Sequence, residues 1–189
     1  VYCAYDVSVS ARGSAFKLRE PDGSVTELTT RLIGEHNVLN ICGAVAVARE
    51  YGVELRVIAA RVRRLESVPH RLELLGGGAR AVIDDAYNSN PAGAKAALDA
   101  LAQFDALKIL VTPGMVELGA RQEELNRAFG AQAAGVCDFV VLVGARQTQP
   151  IAAGLRDAGF AQELVKTAET VQEAVALADA FRPGETRVI

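Results

Sequence analysis

Between residues 4 and 30 apolar and polar side chains alternate with a period of two, as in Tyr5-Asp6-Val7-Ser8-Val9-Ser10, Ala15-Phe16-Lys17-Leu18 and Val25-Thr26-Glu27-Leu28. That period marks strands with one covered face and one wet face. Gly13 separates the first two runs and Pro21-Asp22-Gly23 supplies a turn between the second and third, so an antiparallel meander is predicted. Such a sheet needs a covering layer, from the helices that follow or from further sequence. The pattern then becomes helical over 38–51, closed by Gly52, and again over 55–65. Arg56, Arg61, Arg63 and Arg64 stand beside Val57, Ile58, Ala59, Ala60 and Val62 in that second helix and read as its solvated face.

Residues 66–79 break both patterns. Val68-Pro69-His70-Arg71-Leu72-Glu73 is held extended by its proline, and Gly76-Gly77-Gly78 is flexible backbone, so a boundary between two domains is expected at 68–79. From Arg80 onward strands and helices alternate. Strands are expected at 81–83, 108–112, 139–143, 164–165 and from 186, and helices at 91–104, 122–134, 150–158 and 170–181. Short apolar strands spaced by helices predict an α/β fold, a Rossmann-like parallel sheet flanked by helices on both faces with right-handed crossovers.

Composition narrows the classes. Hydrophobic residues make up 50% of the 189 and charged residues 23%, which is a folded globular chain. The net charge of −3 and the absence of a long basic run give no indication of nucleic acid. Apolar stretches such as 41–48 fall short of the roughly 18 residues needed to cross a bilayer, so no membrane insertion is expected. Cys3, Cys42 and Cys137 lack metal-ligand spacing and read as reduced, buried thiols of a cytoplasmic protein. Val1 opens at once in a strand-like run and Arg187-Val188-Ile189 stops as another strand starts, so the chain reads as a piece of a longer protein.

Candidate chemistry concentrates in 82–101. Asp84 and Asp85 follow the strand at 81–83, and Asn88-Ser89-Asn90-Pro91 offers an N-cap with proline at the first helical position. In parallel α/β sheets ligands bind beyond the carboxyl ends of strands, which is where these polar residues fall, although capping and solvation alone would also account for them. Asn37 and Asn40 are three apart and share one side of a helical first turn. Their carboxamides have the donor and acceptor needed to read an adenine edge; the same pair also reads as an N-cap, Asn37, with a polar residue after it. His36 has no visible partner and reads as structural. Arg71, beside Pro69, offers a planar guanidinium to a phosphate or ribose in an interdomain cleft, or makes a surface ion pair. No GxGxxG follows the first strand and no GxxxxGK[ST] occurs, so neither a dinucleotide fingerprint nor a P-loop is present.

Taken in order, Gly34-x-His36-Asn37-x-x-Asn40, Pro69-His70-Arg71-Leu72-Glu73 and Asp84-Asp85-x-Tyr87-Asn88-Ser89-Asn90-Pro91 resemble the Mur ligases, the ATP-dependent amide-forming enzymes of peptidoglycan synthesis. The Tyr87 to Pro91 string and the loop Thr112-Pro113-Gly114-Met115-Val116-Glu117-Leu118-Gly119 are most similar to members that add D-alanyl-D-alanine to UDP-N-acetylmuramoyl-tripeptide. The resemblance runs over nearly the whole chain. It implies that 1–67 is the tail of a central ATPase domain, 68–79 a linker, and 80–189 most of a C-terminal domain.

The resemblance further implies that Asn37 and Asn40 lie at the adenine, that Arg71 approaches the nucleotide and that Asp85 binds the ribose. Asn88, Ser89 and Glu117 would face the incoming amino substrate. ATP and Mg²⁺ are the implied cofactors; the reaction activates a carboxylate as an acyl phosphate, which the amine attacks as the domains close over it. The P-loop, the Mg²⁺ ligands and the UDP-binding domain of the family have no counterpart here, so no catalytic residue and no metal ligand is expected in this chain, and alone it is expected to be an inactive monomer. A different amino acid, folate or cyanophycin as substrate, or a noncatalytic α/β small-ligand module, are the alternatives.

Overall fold

A computed structural model describes residues 1–10 and 12–189. The alternating runs at the start form β1 (Cys3–Ser10), β2 (Gly13–Arg19) and β3 (Val25–Thr30), an antiparallel meander in the order β1-β2-β3. Phe16, Leu18 and Leu28 project from one face and are fully buried under α1 (Glu35–Glu50) and α2 (Leu55–Val62), against Val38, Ile41, Val45, Ile58 and Val62. The following helices therefore supply the covering layer. The turn after β2 is tied to α1 by Arg49, whose Nε donates to the buried Glu20 carboxylate at 2.7 Å.

α1 starts three residues earlier than its apolar pattern suggests. Gly34, at φ 92°, is the N-cap, so Asn37 lies inside the first turn and cannot cap; its Nδ2 donates instead to the Ile33 carbonyl at 2.9 Å. Gly34 is also pressed against the second half of the chain: a Cβ there would come within 2.7 Å of the Leu72 side chain.

The second half is a sheet of six strands in the order β4-β5-β9-β6-β7-β8. Its parallel strands are β5 (Arg80–Asp84), β6 (Leu107–Thr112), β7 (Phe139–Val143), β8 (Val165–Ala168) and β9 (Arg187–Val188). The stretch 68–79, expected to be linker, holds a strand that the sequence did not suggest. β4 (Glu73–Gly77) pairs antiparallel with β5, so the three glycines lie in or beside a hairpin and the parallel sheet has an antiparallel edge. Two glycines in five residues mask a strand pattern, and pairing with β5 is what makes one.

The helices α3 (Pro91–Ala102), α4 (Gln122–Ala134), α5 (Gln149–Asp157) and α6 (Val171–Ala180) connect these strands. β5 to β8 run outward across the sheet, whereas the chain returns from β8 to place β9 in its middle. With one crossover hand, that reversal puts α6 on the face opposite α3, α4 and α5. β7 shows the division: Val140 and Leu142 join the core with Leu98, Phe129 and Leu155, and Phe139 and Val141 join Ala174 and Ala178 of α6. α4 and α5 meet backbone to backbone, since a Cβ on Gly130 would lie 2.2 Å from the Ile151 oxygen and one on Gly154 2.0 Å from the Arg127 oxygen. The two halves join through Ile33 and Val9, packed on Leu72, Leu74, Ile83, Ala97 and Ala100. No helix among the described residues is long and apolar enough to cross a membrane.

Candidate functional site

β5 ends at Asp84, and the two consecutive aspartates reach back to the chain on either side of Arg71. Asp84 Oδ2 lies 2.8 Å from His70 Nδ1, and Asp84 Oδ1 accepts from the Ala86 N–H at 3.1 Å. Asp85 Oδ1 accepts from the Leu72 N–H at 2.9 Å. The His70 carbonyl accepts from the Tyr87 N–H at 3.0 Å, closing the β5–α3 loop onto residues 70–72. Between these ties the exposed Arg71 guanidinium sits 4.3 Å from the centre of the Tyr87 ring, a cation–π contact. Burial pushes the Asp85 carboxyl above its ordinary value, against the opposing pull of the Leu72 N–H, His36 and Arg71. His36, read from sequence as structural, lies near Asp85.

Arg71 and Asp85 are therefore brought together where the two halves meet. Asn37 and Asn40 are not in that group. They line a separate apolar groove of about 430 Å³ between α1 and α2, with Ile41, Ala44, Val57 and Ile58, and Arg71, Asp85, Asn88 and Glu117 take no part in it. Asn88 and Ser89 lie in the loop that starts with Asp85, Asn88 exposed and Ser89 half-buried, while Asn90 Oδ1 caps α3 by accepting from the Gly93 N–H at 2.9 Å.

Glu117 lies on a loop that is tightly held. Thr112 Oγ1 accepts from the Gly114 N–H at 3.0 Å, Gln147 Nε2 donates to the Pro113 carbonyl at 2.8 Å, and the Asn126 side chain binds both backbone groups of the buried Met115. Glu117 itself is exposed, with its backbone in the left-handed region at φ 62°. Beside this loop an open cleft of about 1200 Å³ runs between α4 and α5, lined by Gln122, Asn126, Gln147, Arg146, Arg156 and Glu169 among others. β5, β6 and β7 are parallel through the sheet, so the Asp85 loop, the Glu117 loop and the Arg146 loop all emerge at one edge. The sequence reading did not single out the Arg146 loop or Asn126. The strand-end rule that drew attention to Asp84 and Asp85 applies equally after β7. Asn126 gave no such signal, being one polar residue within a regular helix.

Among the described residues no three of His, Cys, Asp and Glu are grouped so as to hold a metal ion.

Residues 70–189 match the family model described as "Mur ligase, glutamate ligase domain". The chain is 36% identical over 146 residues to the UDP-N-acetylmuramoyl-tripeptide–D-alanyl-D-alanine ligase of Escherichia coli, an alignment covering 76% of this chain and 32% of that protein. It therefore spans about a third of that relative's length. A crystal structure of MurF from Acinetobacter baumannii superposes with a TM-score of 0.80 at 26% identity, over 99% of this chain and 41% of that one. MurF from Thermotoga maritima in complex with ADP shares the fold, with a TM-score of 0.79 at 20% identity over 99% of this chain and 41% of that one.

Proposed function

The chain belongs to the Mur ligase family, and from this we propose that it supplies the nucleotide-facing junction and the amino-substrate face of an ATP-dependent ligase that joins D-alanyl-D-alanine to UDP-N-acetylmuramoyl-tripeptide. The observation that carries the reading is the arrangement at the end of β5. Asp85 spends Oδ1 on the Leu72 N–H, and its second oxygen remains to accept from a ribose hydroxyl. Arg71, fixed over Tyr87 beside it, offers the planar donor set that suits a phosphate. Asn37 and Asn40 would read the adenine from α1. With its amide already donating to Ile33, Asn37 would use its carbonyl oxygen toward a ligand, and Asn40, exposed, keeps both groups.

The amine of the second substrate would approach the loops carrying Asn88, Ser89 and Glu117. The dipeptide also ends in a carboxylate, and Arg146 and Arg156 in the neighbouring cleft are cations suited to it. ATP would supply the phosphoryl group that activates the carboxylate; the residues here orient the nucleotide and the amine and exclude water. A P-loop is absent from this sequence, so the chain alone is expected to bind nucleotide weakly and to turn nothing over, as a cytoplasmic monomer, with any Mg²⁺ held by residues outside it. The proposed division is 1–67 for the first domain and 80–189 for the second, with 68–79 as a junction whose strand β4 pairs onto the second sheet.

Calorimetric titration with ADP tests the nucleotide part: weak binding that disappears in Arg71→Ala and in Asp85→Ala is expected. Binding unaffected by either substitution would remove the junction from the site. ADP release by the whole ligase, dependent on the dipeptide and not on single amino acids, tests the substrate. Release with another amino acid alone would make this a different member of the family, and no binding or release at all would favour a noncatalytic small-ligand module.

A further inference from the structure

Arg71 lies between two residues of left-handed backbone, His70 at φ 62° and Leu72 at φ 48°, neither of them glycine. Such a conformation is costly for an L-residue and persists only where the surroundings fix it. Leu72 has an evident anchor: it is 3% exposed, packs on Ile33 and Ala100, and gives its N–H to Asp85. His70 is exposed and has no core to hold it. Its anchors are all polar. Its ring meets Asp84 at 2.8 Å, its N–H donates to Glu73 Oε2 at 3.2 Å, and its carbonyl accepts from the Tyr87 N–H at 3.0 Å. The last of these fixes the residue whose ring lies under Arg71.

We propose that His70 is a positioning residue, whose side-chain contact with Asp84 latches residues 70–72 to the end of β5 and so holds Arg71 on Tyr87 and beside Asp85. Nδ1–H donates to the carboxylate, and Asp84 is itself held by the Ala86 N–H. The two aspartates thus have different tasks. Asp84 keeps the strained residue before Arg71 in place; Asp85 keeps the one after it, with an oxygen to spare. That the latch serves a ligand rests on the nucleotide reading above.

The test exploits two effects of opposite sign. If the His70 side chain did nothing, His70→Gly would stabilise the chain, because glycine adopts φ 62° without cost. A latch predicts loss instead. In the full chain, His70→Gly is expected to abolish the ring-current shift of the Arg71 side-chain protons and to speed amide exchange at Tyr87 and Leu72 at least about five-fold, the change that goes with one hydrogen bond. Exchange in β6 and β7 should stay as it was. His70→Asn, which tolerates the left-handed region and places an N–H₂ where Nδ1–H stood, should restore both signals. In an Asp84→Ala background, His70→Gly should add nothing further.

ADP affinity is measured on the same proteins and should fall about five-fold in His70→Gly and recover in His70→Asn. An unchanged Arg71 shift in His70→Gly, or a higher melting temperature without faster exchange, overturns the latch. If the wild-type chain binds no ADP while the shift and exchange pattern hold, the latch stands and the nucleotide reading falls.

Discussion

Met115 and Asn126 exchange hydrogen bonds in both directions: the Met115 N–H donates to Asn126 Oδ1 at 2.8 Å, and Asn126 Nδ2 donates to the Met115 carbonyl at 2.9 Å. The carboxamide thereby stands in for a neighbouring strand. Nδ2 also donates to the Gln122 carbonyl at 2.9 Å, so one side chain, 2% exposed, joins α4 to the loop that presents Glu117. Asn126→Ala would strand two backbone groups of a buried residue at about 1–3 kcal/mol each, and a loss of about 2–6 kcal/mol in urea unfolding is expected. A loss under about 1 kcal/mol would mean that water replaces the amide.

Asp85 makes stability depend on pH in a particular direction. Burial raises its pKa above the ordinary 3.8, so the folded chain holds the proton more firmly than the unfolded one. The cost is absent below the ordinary value, appears as pH rises through the folded value, and is complete above it. Asp85→Asn keeps an oxygen for the Leu72 N–H and removes the charge. It should melt above wild type at neutral pH, and the gap should narrow as the pH falls toward about 3. A variant that melts below wild type at neutral pH would show that attraction to His36 and Arg71 outweighs burial.

Arg187 is 5% exposed and has no carboxylate partner among the described residues. Its guanidinium donates to the carbonyls of Ala178 and Asp179 at 2.9 Å, of Phe181 at 3.0 Å and of Arg182 at 2.8 Å. It closes the carboxyl end of α6, where unpaired carbonyls and the helix dipole both favour a cation. Arg187→Met should cost on the order of 3 kcal/mol by leaving those carbonyls unpaired. Arg187→Lys should fall between, because one ammonium cannot span the same fork. Thermal unfolding of the three proteins gives the order.

The three thiols should react in a fixed sequence. Burial pushes the Cys137 thiol up to about 12 and raises Cys42 as well, whereas Cys3 is only half-buried, contrary to its reading as a buried thiol. With a disulfide reagent at pH 8, Cys3 should modify first and the other two only as the chain opens, at rates that climb with urea. Prompt modification of Cys137 in the native chain would show that the core under β7 is breached.

Much of this fold is local in origin. Alternation in β1 to β3, the apolar runs of β6 and β7, and caps such as Asn90 before Pro91 each depend on near neighbours, so the meander, the α/β alternation and most helix ends were legible, together with the family motifs that place Arg71 and Asp85. Tertiary structure decided where polar groups find partners. β4 exists because β5 lies beside it; Asn37 is no cap because the helix is already capped three residues earlier at Gly34; Asn37 and Asn40 line a groove that includes neither Arg71 nor Asp85. Gln147 reaches Pro113 across 34 residues and Arg80 reaches Asp179 across 99. Periodicity records which face of an element is covered, whereas a hydrogen bond between distant residues is fixed only when packing brings donor and acceptor within reach.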